Sequence, residues 1–115
     1  MTTQDELLAL SAPSYAALFR DRVQATPTAM AYLVPSRTDT GPATWTPMTW
    51  AETRVKVDEL AAGLLALGLD TEQRVAIVCS TRIEWILADL AIACAAGATT
   101  TIYPSSQHED VEFIL

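Results

Sequence analysis

Positive charge is what this 115-residue sequence has least of. It carries one lysine, Lys56, and six arginines against 14 acidic residues, a formal net charge of −7. A phosphate backbone is repelled by that balance, which argues against nucleic-acid binding. No basic cluster offers attachment to anionic lipid. There is a single histidine, His108, and two cysteines, Cys79 and Cys94, without zinc-ligand spacing. No G-x-S-x-G, Walker A or paired-cysteine motif occurs. No apolar run approaches the 18 or so residues that cross a bilayer. The first residues, MTTQDELLALSAPS, carry Asp5 and Glu6 in place of a basic leader, so they are not a secretory signal. Repeats and low-complexity segments are missing too. A cytoplasmic setting follows, with peripheral membrane contact left open. What the chain does have is apolar mass. Half its residues are hydrophobic and only 18% are charged, low for a small free-standing domain, which implies surface meant to be covered.

The organising stretch runs from Arg74 to Pro104. RVAIVC is a continuous apolar run, as expected of a strand covered on both faces, the usual state in a parallel sheet. Thr81-Arg82-Ile83-Glu84 then has capping-box spacing. Ile83, Ile86, Leu87, Leu90 and Cys94 recur as one helical stripe. Gly97 falls where a left-handed helix stop is wanted, and Thr99 to Tyr103 form a second strand closed by Pro104. Strand, helix and strand make a parallel crossover unit.

Upstream, residues before Ser11 read as a loose arm whose Leu7, Leu8 and Leu10 dock on a neighbour. A first helix is predicted over 11–25, with Tyr15, Leu18, Phe19 and Val23 on one face, Pro13 in its first turn and Pro27 as its stop. Residues 29–34 and 43–48 read as an antiparallel hairpin around the loop SRTDTGP. Thr49-Trp50-Ala51-Glu52 opens the longest helix, with Trp50, Val57, Leu60, Leu64 and Leu67 on one stripe. Gly68 stops it, with Leu69 meeting Leu64 in a Schellman ending. Gly63, inside this helix, costs roughly 1 kcal/mol relative to alanine, so close approach to the sheet or another helix is expected there. A third capping box, Ser106-Gln107-His108-Glu109, begins a helix barely two turns long at Leu115, which reads as an unfinished element. The fold class is therefore α/β: a partial doubly wound sheet with parallel strands and crossover helices, plus an N-terminal helix and an antiparallel hairpin, with 1–115 as one unit.

Few residues carry chemistry. His108 sits in the first turn of the last helix and reads as exposed, with no nucleophile or orienting carboxylate beside it. Asp110, Glu109 and Glu112 read as a solvated face. Ser80-Thr81-Arg82 lies at the carboxyl end of a predicted parallel strand, where open sheets bind ligands, but it has no glycine to cradle a phosphate. Trp45, Trp50 and Trp85 are spread over different elements and read as packing residues. Cys79 and Cys94 read as reduced core thiols. No catalytic, cofactor-binding or metal residue is assigned.

Several phrases carry a resemblance. They are Thr49, Trp50 and Glu52 (TW-E), LAAGLLALG from Leu60, RVAIVCSTRIEW from Arg74, DLAI from Asp89, and AGATTTIYPSS from Ala96. Over about residues 43–115 the sequence resembles the start of the adenylate-forming, AMP-binding enzymes, closest to long-chain fatty acyl-CoA synthetases. The resemblance implies a parent that uses ATP, Mg2+ and coenzyme A. Such a parent activates a fatty acid to an acyl-adenylate with release of pyrophosphate, then forms the thioester. The family's Ser/Thr/Gly-rich phosphate loop, its nucleotide-binding motifs, its hinge and its C-terminal catalytic lysine lie downstream of the matched region, so none is expected within 1–115. The partner implied is the rest of the parent chain, with self-association of the isolated piece. Glu72-Gln73 stands where the family often has Gly-Asp, which puts the shape of that turn in question. Two alternatives stay open: a fatty acyl-AMP ligase or carboxylic acid reductase adenylation domain, and a free-standing, non-catalytic α/β interaction module.

Overall fold

A computed structural model describes residues 3–36 and 40–115. Its elements are α1 (Gln4–Ala9), α2 (Tyr15–Ala25), β1 (Met30–Pro35), β2 (Trp45–Thr49), α3 (Trp50–Ala66), β3 (Arg74–Val78), α4 (Ile83–Cys94), β4 (Ala98–Ile102) and α5 (His108–Ile114). This is the expected α/β class: an N-terminal helix, an antiparallel β1–β2 hairpin and a parallel β3–α4–β4 crossover. Part of the loop expected between the hairpin strands, 37–39, lies outside the described residues.

Local chemistry explains most boundaries. At the start of α3, Thr49 N–H donates to Glu52 Oε2 at 2.8 Å and Glu52 N–H donates to Thr49 Oγ1 at 3.1 Å, the reciprocal capping box. The Trp50 and Ala51 N–H groups donate to the Ala29 and Pro27 carbonyls, so the helix start is tied to the approach of β1. At its end Gly68 takes φ 95°, Leu69 N–H reaches the Leu64 carbonyl at 3.1 Å and Gly68 N–H reaches Leu65, completing the Schellman pair.

Other boundaries depart from expectation. The arm before Ser11 holds a short helix, α1, with its own capping box between Thr3 and Glu6; it buries no residue, and Leu7, Leu8 and Leu10 are exposed. The helix predicted from Ser11 starts at Tyr15, because Ser14 is the residue whose hydroxyl accepts from the Ala17 N–H; Pro13 precedes the cap and sits outside the first turn. Helix α4 is capped by Arg82 without a side-chain bond, and α5 by Gln107, so neither Thr81 nor Ser106 forms its expected box. The left-handed stop after α4 falls on Ala96, φ 61°, one residue before Gly97.

The core is a helix-on-helix layer. Phe19 and Val23 of α2, Val57 and Ala61 of α3, and Leu87, Leu90 and Ala91 of α4 pack together, with Trp50, Ile83 and Ile86 at the margin. Thr53, fully buried in that layer, satisfies its hydroxyl by donating to the Thr49 carbonyl at 2.7 Å. Beneath α4 the β3–β4 sheet buries Ile77 and Ile102. The two-sided burial expected of RVAIVC is not found: Arg74, Ala76 and Val78 are exposed, because two strands and one helical layer cover one face only. The chain exposes 8501 Å2. A sealed monomer of 12.4 kDa exposes about 6,100 Å2. The radius of gyration, 16.9 Å, likewise exceeds the roughly 13 Å of a compact 115-residue domain.

Candidate functional site

The turn Ser80-Thr81-Arg82 leaves β3 at its carboxyl end and delivers Arg82 in extended backbone, φ −158° and ψ 168°, to the start of α4. There the Arg82 guanidinium donates through Nε and Nη2 to both Glu84 carboxylate oxygens at 2.7 Å. Those bonds hold the guanidinium above its ordinary pKa. A cavity of about 490 Å3 lies alongside, between β1 and the start of α4, walled by Tyr32, Leu33, Pro35, Thr81, Ile83 and Ile86. The arrangement is poorly suited to binding an anion, since an incoming phosphate has to displace Glu84 from a bidentate pair. Thr81 has no base placed to activate its hydroxyl.

The remaining sequence candidates are scattered over the surface. His108 is the first residue of α5; its Nδ1 lies 4.0 Å from Glu112 Oε2, and both side chains are exposed. Such a surface pair contributes little. Cys79 and Cys94 are free and half-buried; Cys94 packs against the helical core as expected, and Cys79 is outside it. Burial raises the Cys94 thiol, which lowers its reactivity. The Cys79 thiol donates to the Ser80 carbonyl at 3.2 Å. Trp45 is exposed, Trp85 half-buried, and Trp50 alone joins an aromatic cluster, 6.3 Å from Phe19 and 5.8 Å from Tyr32 between ring centroids.

Sequence reasoning does not find the Tyr15–Asp89 contact, which joins α2 to α4. Burial first, then the nearby Asp89 charge, raises the Tyr15 phenol; burial alone raises Tyr32. The partners are 74 positions apart, and no local signal links them.

An apolar groove of about 670 Å3 lies between α3 and β3. Leu60, Gly63, Leu64 and Leu67 of α3, the four consecutive residues Val75 to Val78 of β3, and Ala88, Ala91 and Ile92 of α4 line it; Glu59 is the one charged residue among them. Three leucines of the α3 stripe therefore face an opening: Leu67 is 88% exposed. The close approach expected at Gly63 is missing, since a β-carbon built there meets nothing within 4 Å.

Together these features define an α/β unit whose two-stranded parallel sheet is, among the described residues, unpaired at both edges and open on one face. Residues 19–115 match the model of a family described as AMP-binding enzyme, and the chain belongs to that family. It is 38% identical over 71 residues, 62% of its own length, to the long-chain-fatty-acid–CoA ligase FadD15 of Mycobacterium bovis. The chain spans about 12% of that relative's length. Its fold is similar to a Mycobacterium tuberculosis fatty acyl CoA synthetase, with TM-score 0.76, 25% identity, and coverage of 89% of this chain and 19% of that one. It is also similar to the fatty acid AMP ligase from Legionella pneumophila, with TM-score 0.73, 20% identity, and coverage of 97% and 18%. Among the described residues no helix is long and apolar enough to cross a membrane.

Proposed function

We propose that this chain is the opening α/β layer of the large domain of a long-chain fatty acid–CoA ligase, residues 1–115 forming one structural unit within it. The whole enzyme would join a fatty acid to ATP as an acyl-adenylate, releasing pyrophosphate, and then pass the acyl group to coenzyme A, with Mg2+ on the phosphates. The observation that carries this reading is the 38% identity to a long-chain-fatty-acid–CoA ligase within a chain whose residues 19–115 match the AMP-binding family.

The role of the piece is architectural. Acyl-adenylate chemistry needs fixed cations and donors around a triphosphate. Here the net charge is −7, Arg82 is closed onto Glu84, and Arg54 lies 3.4 Å from Asp58. The chain accordingly supplies no catalytic, nucleotide-binding or metal residue, works in the cytoplasm, and binds the rest of the ligase through its apolar surface. Alone it self-associates through that surface.

The test is palmitate-dependent ATP–pyrophosphate exchange. The longer protein carrying this segment is expected to be active and the 115-residue chain inactive. Exchange by the isolated chain overturns the architectural role; a longer protein without exchange overturns the ligase reading. Light scattering and a hydrophobic dye report on the exposed surface: a monodisperse monomer that binds no dye refutes the self-association.

A further inference from the structure

A smaller cavity, of about 280 Å3, opens where α2, β1 and the start of α3 meet, and it is built from rings. Phe19, Trp50 and Leu90 come from the helical core, and Tyr15, Tyr32 and Arg22 extend the lining. The Phe19 and Tyr32 rings lie 6.3 and 5.8 Å from the Trp50 ring between centroids, inclined to it by 55° and 58°. Tilted rings at these distances leave faces and edges that a further ring can meet. The polar groups on this lining are donors. Burial raises the Tyr32 phenol above the ordinary 10.0, so it holds its proton at neutral pH. Asp89 takes up the Tyr15 hydroxyl, so that side chain offers its ring. Arg22 is the charged lining residue. Among the described residues it has no ion pair, and neither the Tyr32 hydroxyl nor the Trp50 indole N–H has a hydrogen-bond partner.

We propose that this cavity binds a small aromatic carboxylate, its ring among Phe19, Tyr32 and Trp50 and its carboxylate on the Arg22 guanidinium. An aromatic lining with a few polar groups is the usual composition of a small-molecule site, and the volume falls at the low end of the usual range of roughly 300–1,000 Å3, which suits a single ring. The sign of the ligand's charge follows from Arg22. Rings alone would favour a cation over their faces, but a guanidinium in the lining repels one. Its planar donors fit a carboxylate, and the Tyr32 hydroxyl and Trp50 N–H also ask for an acceptor. On a chain of net charge −7, an unpaired cation beside an aromatic cavity is a local reversal of the overall charge. The lining holds no Ser, Cys, Lys or His, so the site binds without reacting. It stands apart from the ligase reading, which requires no ligand here.

The experiment is titration of the isotopically labelled 115-residue chain with benzoate, followed by nuclear magnetic resonance at the three tryptophan indole N–H groups. The Trp50 signal is expected to shift and saturate, with half-saturation at about 1 mM or below, while Trp45 and Trp85 stay in place. Three probes take the ligand apart: acetate has the charge without the ring, benzyl alcohol the ring without the charge, and benzylamine the ring with the opposite charge. Each is expected to bind about threefold or more weaker than benzoate. Arg22→Gln changes an exposed side chain, so it should keep the thermal midpoint within about 2 °C and weaken benzoate about threefold or more. Half-saturation above about 1 mM, or equal movement of all three indoles, overturns the site. Acetate, benzyl alcohol or benzylamine matching benzoate overturns the aromatic carboxylate, and unchanged binding by Arg22→Gln overturns the role of the guanidinium. The titration uses no nucleotide and no turnover. Binding of benzoate alongside a longer protein without pyrophosphate exchange keeps the site and removes the ligase; exchange without binding does the reverse.

Discussion

The same substitution, glycine to alanine, should have opposite effects at two positions. At Gly97 a β-carbon comes within 3.1 Å of Ile92 Cγ2 and Leu69 Cδ2 and within 3.3 Å of the Gln73 carbonyl oxygen. Carbon pairs prefer about 3.5–4.0 Å, so the new methyl overlaps on three sides. Ile92 is 1% exposed and cannot retreat. The Gln73 oxygen is pinned by the Ala98 N–H at 2.9 Å, the bond that starts the parallel ladder. Overpacking of this kind costs about 1–3 kcal/mol, offset by roughly 0.4–1 kcal/mol of lost unfolded-state entropy, leaving Gly97→Ala destabilising by about 1 kcal/mol or more. At Gly63 the methyl meets nothing, and the interior of α3 gains about 0.8–1.0 kcal/mol of helix propensity. With about 2.1 cal/mol/K of unfolding entropy per residue, 1 kcal/mol moves the midpoint of a 115-residue chain by roughly 4 °C. Thermal melts followed by circular dichroism should therefore place Gly63→Ala about 4 °C above the wild type and Gly97→Ala a similar amount below it. A Gly97→Ala midpoint at or above the wild type refutes the packing argument at Gly97, and a lowered midpoint for Gly63→Ala refutes the empty space on α3.

Three further outcomes are expected. Thr49→Ala removes the hydroxyl that accepts from the Glu52 N–H, leaving the Thr49 N–H bond to the Glu52 carboxylate in place, and should lower stability by about 1 kcal/mol in denaturant titration, while Thr3→Ala in the packing-free α1 leaves the transition in place. Glu72 sits at φ 63°, where the family resemblance implies glycine; Glu72→Gly should stabilise by about 0.5 kcal/mol after its entropic cost, and Glu72→Val, β-branched at positive φ, should lower the midpoint. Tyr15 and Tyr32 have folded-state phenols raised above the ordinary 10.0, so the native state holds their protons longer than the unfolded chain. The stability they contribute is intact below pH 10 and is lost as pH rises through the folded values; absorbance titration should show two of the three tyrosines ionising above a free phenol, and three superimposed ordinary titrations refute this.

The elements legible in the sequence are those whose signals are local and uncontested. Thr49 and Glu52 need only each other, and Gly68 and Leu69 need only the last turn of α3. The same signature misleads where another group competes for a member. Glu84 is held by the Arg82 guanidinium, so it does not close a box with Thr81, and α4 starts after Arg82. Ser106 N–H donates to the Tyr103 carbonyl at 2.9 Å, which commits Ser106 to a turn and moves the start of α5 to His108. Thr3 and Glu6 carried a usable box that the arm's lack of a clear stripe concealed.

Burial is where pattern and structure part. A continuous apolar strand and a leucine stripe state how much each element can bury, not what buries it. RVAIVC and the Leu60–Leu64–Leu67 face are written for two-sided and full burial, yet Val78 is 56% and Leu67 88% exposed. Misread periodicity does not account for the difference, because both elements form where predicted and the faces that do meet, Ile77 on β3 and Val57 and Ala61 on α3, are buried. The disagreement includes two surfaces that look onto one groove, and it recurs at Tyr15 and Leu18 on the predicted apolar face of α2, which are also exposed. Leu7, Leu18, Trp45, Val55 and Phe113 are exposed away from that groove as well, so the apolar surplus belongs to the unit as a whole: the pattern states what each element can cover, and two strands with one helical layer are too few to cover it.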